Sequence, residues 1–295
     1  MFTGFKAAKL YVNGVDIHYR IGGQGPALLL VHGHPQTHVI WHKVAEQLVK
    51  NFTVVAADIR GYGDSDKPLS DEQHLTYSKR VMGLDLVELM QELGFNQFSI
   101  LAHDRGARVA HRLALDHSER VDKMMLLDIA PTLSMYQQTN QDFARAYWHW
   151  FFLIRPAPLP ESLIESDPEL YLKSVIGARS AGMTPFTEEA IAEYLRCLKL
   201  DGAGRGICED YRAAATIDLV HDQEDIDAGN KIRCPLKVFW GENGTVGKVF
   251  NPLAEWQKVA TDVSGKALPS GHYIPEDIPE LLLEEVSHFF KGIEL

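Results

Sequence analysis

At 295 residues, 45% hydrophobic and 23% charged, the chain has the composition of a globular protein and the length for one large domain or two moderate ones. Its net charge of −11 argues against a nucleic-acid or anionic-membrane partner, and no apolar run approaches the ~20 residues that span a bilayer. Met1 to Lys9 carries no export signal, and the scattered Cys197, Cys208 and Cys234 have no metal-ligand spacing, so reduced thiols in a cytoplasmic protein are expected.

The first third reads as a hairpin followed by alternating strands and helices. Lys9–Val12 and Val15–Ile21 flank Asn13-Gly14, the strongest short hairpin signal. Five apolar runs follow: Ala27–Val31, Thr53–Ala57, Phe98–Ala102, Met124–Leu127 and Leu236–Trp240. Such runs suit strands buried on both faces of a parallel sheet. Tyr77 to Leu93 has helical periodicity and Gly94 as a stop. The alternation predicts a doubly wound α/β plan. It breaks from about Pro131 to Asp225, a stretch rich in aromatic residues and helix formers. We therefore expect a core domain of residues 1–133 and 226–295 with a helical cap, 134–225, inserted.

In open α/β sheets ligands bind beyond the carboxyl ends of the strands, which would gather His32, Asp58, Asp104 and Asp128 at one edge. Asp58, in Asp58-Ile-Arg-Gly-Tyr-Gly63, reads as a turn brace. Ala102-His-Asp-Arg-Gly106 has the small-x-nucleophile-x-Gly form of a nucleophile elbow, with Asp in place of Ser. Small residues two before and two after are needed because the strand-to-helix turn is tight. By itself Asp104 reads equally as a helix N-cap.

Neighbouring motifs shift that balance. His32-Gly-His-Pro35 follows the third strand, where the backbone N–H groups of His34 and Arg105 would make an oxyanion hole; His34–Pro35 is a candidate cis bond. Ser270-Gly-His-Tyr273 places His272 last in chain order, as a base should be. The acid orienting it is either Asp128, at a strand end, or Glu242, with Asp128 favoured. A carboxylate nucleophile suits displacement at a saturated carbon and gives an alkyl ester, which His272 and water would then hydrolyse. Alkyl halides and epoxides are the two substrate classes.

Arg105 and Arg108 lie one and four residues after Asp104. They would keep it ionised and offer forks to a second carboxylate. An acidic chain with two arginines at its elbow points to an anionic small-molecule substrate, whereas Arg112 suits an ion pair with Asp116. In the cap, Tyr147-Trp-His-Trp-Phe151 and Tyr211 could supply N–H and O–H donors to a halide, with Trp148 assigned to packing.

His32-Gly-His-Pro-Gln-Thr37, Asp58-Ile-Arg-Gly-Tyr-Gly63, His103-Asp-Arg-Gly-Ala-Arg108, Leu127-Asp-Ile-Ala-Pro131, Tyr147-Trp-His-Trp150 and Gly271-His272 together resemble the haloacetate dehalogenases of the α/β-hydrolase fold, over nearly the whole chain. The resemblance implies Asp104 as nucleophile, His272 as base and Asp128 as acid. It implies Arg105 and Arg108 as the carboxylate-binding pair and His149, Trp150 and Tyr211 as the halide-binding trio. It further implies hydrolysis of a 2-haloacetate to glycolate and halide without metal or cofactor, by a homodimer. His34 departs from the Phe or Trp commoner at its position. An epoxide hydrolase using Tyr147 and Tyr211 is the alternative enzyme, and a catalytically silent receptor of the same fold the alternative class.

Overall fold

The computed structural model describes residues 1–178 and 181–291. Eight strands form one sheet: β1 (Lys6–Val12), β2 (Val15–Gly22), β3 (Ala27–Val31), β4 (Thr53–Ala57), β5 (Phe98–His103), β6 (Val121–Leu127), β7 (Leu236–Gly241) and β8 (Val263–Leu268). Their spatial order is β1-β2-β4-β3-β5-β6-β7-β8. The β1–β2 and β2–β4 pairs are antiparallel and the rest parallel. Asn13 and Gly14 both take positive φ, 47° and 80°, as a two-residue hairpin turn requires. The apolar runs of β3 and β4 lie in the core, with only Thr53 partly exposed, whereas β1 at the edge alternates. Across the described residues the family of the fold is thus the α/β plan that the alternating runs predict.

Strand order explains where a site can form. From β3 the chain winds outward to β4, then returns across β3 to β5. With right-handed crossovers, that reversal sends the connections after β3 and β5 to opposite faces and opens a crevice between them. The pairings Val31↔Ala102, His103↔Leu127, Leu127↔Phe239 and Gly241↔Leu268 bring the carboxyl ends of five strands level. His32–His34, Asp104, Asp128 and the loop to His272 therefore share one edge.

Between β6 and β7 the chain is helical, from Thr132–Gln137 through Trp148–Leu153 and Ala203–Ala214 to Ile217–Ala228. The helical stretch thus begins two residues before, and ends three residues after, the 134–225 expected for the cap. Residues 154–158 separate the helices Trp148–Leu153 and Leu159–Ser166, with Ala157–Pro158 in cis.

Candidate active site

The elbow is built by steric exclusion. Asp104 sits at φ 49°, ψ −116°, a conformation that costs a non-glycine residue of order 1–3 kcal/mol. Leu127 holds it there by accepting the Asp104 N–H at 3.2 Å. A Cβ on Gly106 would come within 2.2 Å of the His32 carbonyl oxygen, and one on Gly33 within 2.5 Å of Asp104 Cβ. Glycine at both positions lets the elbow helix Arg105–Asp116 and the His32–Pro35 loop close on the carboxylate. His34–Pro35 is cis, and the His34 N–H donates to Asp104 Oδ1 at 3.0 Å. The Arg105 backbone nitrogen faces Gly33 beside it.

His272 and Asp128 approach from the next strands. His272 Nδ1 donates to Asp128 Oδ2 at 2.5 Å, and Asp128 Oδ1 accepts the Gly241 N–H at 2.9 Å. With Nδ1 so engaged, Nε2 points to Asp104, 3.7 Å from Oδ2, and has no hydrogen-bond partner among the described residues. His103 Nε2 donates to the His272 carbonyl at 2.8 Å and fixes the loop. Glu242 is exposed, and Asp128, not Glu242, meets the imidazole. Burial acts to raise the Asp104 pKa, but the positive field of His272, His103, Arg105 and Arg108 wins and holds the carboxyl far below its usual range.

Asp58 is a brace. Its carboxylate accepts from the His18 and His38 rings at 2.8 and 2.9 Å and from the backbone N–H of His38 and Asp64. All its lone pairs are taken, which leaves none for chemistry. His32 is likewise structural: Nδ1 donates to the Gly33 carbonyl, and Nε2 accepts the Ile59 N–H.

The two arginines differ. Arg108 is buried, yet its donors meet neutral groups: Thr132 Oγ1 at 2.7 Å, the Ala130 carbonyl and the Met135 sulfur. Its guanidinium lies 4.7 Å from the Trp150 ring centroid. Burial, then the charge of Arg105, lower its pKa to about 10, so it remains a cation at neutral pH. Arg105 instead forks onto Asp210, Nε to Oδ2 and Nη2 to Oδ1, both at 2.8 Å. The expectation that both arginines present open forks is thus corrected: the Arg105 fork is occupied by a carboxylate of the cap. Arg112 pairs with Asp116 at 2.9 Å, as its spacing suggests, and also with Asp225.

The cap closes the crevice with rings. His149, Trp150 and Tyr211 are buried. Tyr211 lies 5.9 Å from the His149 ring and 6.2 Å from that of Trp150. Burial, then the Asp104 charge, push the Tyr211 pKa up, so the phenol stays an O–H donor. His34 joins this cluster, parallel to His149 at 6.1 Å and bonded to the Tyr171 hydroxyl at 3.0 Å. Trp148, by contrast, is 40% exposed and rests against His149 and Phe152, so the core packing expected of it is corrected. The helix Trp148–Leu153, which follows Tyr147, puts residues 149 and 150 inward and 148 outward.

Asp210 escaped the sequence reading, although it stands in Cys208-Glu-Asp-Tyr-Arg212 beside Tyr211. Tyr136 also escaped: its buried hydroxyl has no partner among the described residues, and burial pushes its pKa up to about 12 against the pull of Arg105 and Arg108. An acid next to a candidate halide donor was the available signal for Asp210. Tyr136 left none.

Comparisons with known proteins agree with this fold. The alpha/beta hydrolase fold family matches residues 26–175. Fluoroacetate dehalogenase from Burkholderia sp is 41% identical, covering 99% of this chain and 97% of that protein. Soluble epoxide hydrolase from Corynebacterium sp. (strain C12) is 33% identical, covering 98% and 99%. The crystal structure of an α/β hydrolase from Nostoc sp PCC 7120 superposes with a TM-score of 0.97 at 51% identity, covering 99% and 100%. The chain belongs to the α/β-hydrolase fold family, and a fluoroacetate dehalogenase is among its full-length relatives.

Proposed function

We propose that the protein hydrolyses 2-haloacetates, fluoroacetate or chloroacetate, to glycolate and halide through an ester on Asp104. The observation that carries this reading is a strongly ionised elbow carboxylate beside Arg108, a buried cation whose own hydrogen-bond partners are all neutral. Such a cation costs several kcal/mol to bury alone. A substrate carboxylate would offset that cost, which a neutral epoxide could not.

Asp104 Oδ1 is held by the His34 N–H, which leaves Oδ2 to attack. Oδ2 displaces the halide from the α-carbon, and the halide leaves with the bonding electrons toward His149, Trp150 and Tyr211. The ester carbonyl oxygen is then Oδ1. His272, oriented by Asp128, takes a proton from water, and the resulting hydroxide adds to Cγ of Asp104. Charge develops on Oδ1, facing the backbone N–H groups of His34 and Arg105. Collapse expels the glycolate alkoxide, which takes the proton from His272; the carboxylic acid left on Asp104 then loses its own proton, the one released with the halide overall, and the aspartate is restored. No step needs a metal or cofactor.

The 33% identical epoxide hydrolase makes epoxide opening with Tyr147 and Tyr211 the second reading, since both phenols are buried in the same cap. Purified protein should release fluoride or chloride from the haloacetates with equimolar glycolate. Diol formation from epoxides without halide release would replace the first reading by the second. A homodimer and a cytoplasmic location accompany this proposal; light scattering and cell fractionation test them.

A further inference from the structure

The fork between Arg105 and Asp210 is the end of a buried row of charges. Asp210 also accepts from the Tyr62 hydroxyl at 2.7 Å and pairs with Lys79. Lys79 pairs in turn with Asp218 at 3.2 Å, and its backbone N–H donates to the same carboxylate. Arg105 and Asp210 are fully buried, Lys79 and Asp218 nearly so. Two cations and two anions alternate along this row, so it is neutral as a unit. Arg108 stands outside it.

The Asp210 carboxylate and carbonyl together engage Nε and Nη2 of Arg105. Nη1 is buried and has no partner among the described residues. The Tyr211 ring then lies 4.0 Å from the guanidinium carbon. One peptide unit of the cap, Asp210-Tyr211, thereby fixes both the direction of an elbow arginine and the place of a phenol over it.

We propose that Asp210 is a positioning residue. It turns the Arg105 fork away from the reacting centre and cancels its charge, so that the substrate carboxylate takes its charged contact from Arg108 and only a single nitrogen, Nη1, from Arg105. The inference rests on the function proposed above. Its physical sense is balance. Two uncompensated guanidiniums would hold the substrate carboxylate and Asp104 so firmly that the nucleophile would be stabilised in the ground state, where binding gives no rate. One charged and one neutralised arginine anchor the anion and leave Asp104 reactive.

Asp210→Asn keeps the shape and removes the charge. We expect kcat for haloacetate to fall at least tenfold while acetate, an unreactive carboxylate, binds severalfold more tightly by calorimetry. Loss of the charge would expose Arg105 as a second cation to it. A residue needed only for folding would lower melting temperature and active fraction, with acetate affinity unchanged, and that result would overturn the proposal. Because Asp210→Asn leaves the row with one excess positive charge, the double variant Asp210→Asn, Lys79→Met returns its net charge to zero while Arg105 still lacks its acid. It should keep the low kcat and the tight acetate binding; recovery of both wild-type values would also overturn the proposal. Acetate binding is read without turnover. A protein that released no halide but bound acetate with this response would refute the dehalogenase reading and keep the role of Asp210, whereas no acetate binding by wild type would overturn that role.

Discussion

Arg108 and Arg105 have the same side chain and nearly the same burial, but they do different work because their partners differ. The guanidinium of Arg105 faces an acid of the protein itself, whereas that of Arg108 faces a hydroxyl, a carbonyl and a thioether. Losing a buried charged contact to a ligand costs about 2–5 kcal/mol. Arg108→Ala should therefore raise KM for haloacetates on the order of a hundredfold, with circular dichroism unchanged; steady-state kinetics showing KM within threefold of wild type would remove Arg108 from the substrate. Sequence spacing placed both arginines at the elbow but was blind to this difference. It arises from Asp210, 105 positions away in the chain, and no local pattern reports a long-range ion pair.

At the scale of elements, the cap is tied to the core beside the catalytic loop. Glu276, four residues after His272, accepts the Tyr194 hydroxyl of the cap helix Glu188–Leu198 at 2.6 Å. Its second oxygen is buried without a hydrogen-bond partner among the described residues, and Lys43 and His42 approach only to 3.8 and 3.7 Å. Burial outweighs the Tyr194 bond, the Lys43 charge and the Gln36 amide and raises its pKa to about 7, from an ordinary 4.5. An acid whose folded pKa is raised favours the fold below about pH 4.5 and loses that contribution as pH rises through about 7. The shift corresponds to a loss of up to ~3 kcal/mol. Glu276→Gln keeps an acceptor for Tyr194 and cannot ionise, so its melting temperature should exceed that of wild type by a margin that grows between pH 5 and pH 8. A margin constant with pH would mean that Glu276 is charged in the fold throughout. This tie was not legible in the sequence. A wealth of helix formers announced a helical cap, but not which of its phenols would meet an acid of the core.

Over the whole molecule, what was legible follows from periodicity and steric necessity. Buried parallel strands must be apolar throughout, so Ala27–Val31 and Thr53–Ala57 were readable to the residue. The elbow turn was readable because a larger residue at 106 would meet the His32 carbonyl, and the place of His272 because it follows the last strand. Less was readable in the cap, where short helices pack through aromatic rings that look alike in sequence. There Trp148 faces outward while His149 and Trp150 face the site. The strand order then gathers these local features by bringing the ends of β3, β5, β6, β7 and β8 together around one carboxylate. The most direct test of that carboxylate's role is turnover of a haloacetate in heavy-oxygen water, followed by mass analysis of the peptide containing Asp104. If water attacks an ester at Cγ of Asp104, heavy oxygen must accumulate in that side chain over repeated turnovers, and glycolate from a first turnover must carry ordinary oxygen. Heavy oxygen in first-turnover glycolate, with none in the peptide, would mean that water attacks the substrate directly and that Asp104 is not the nucleophile.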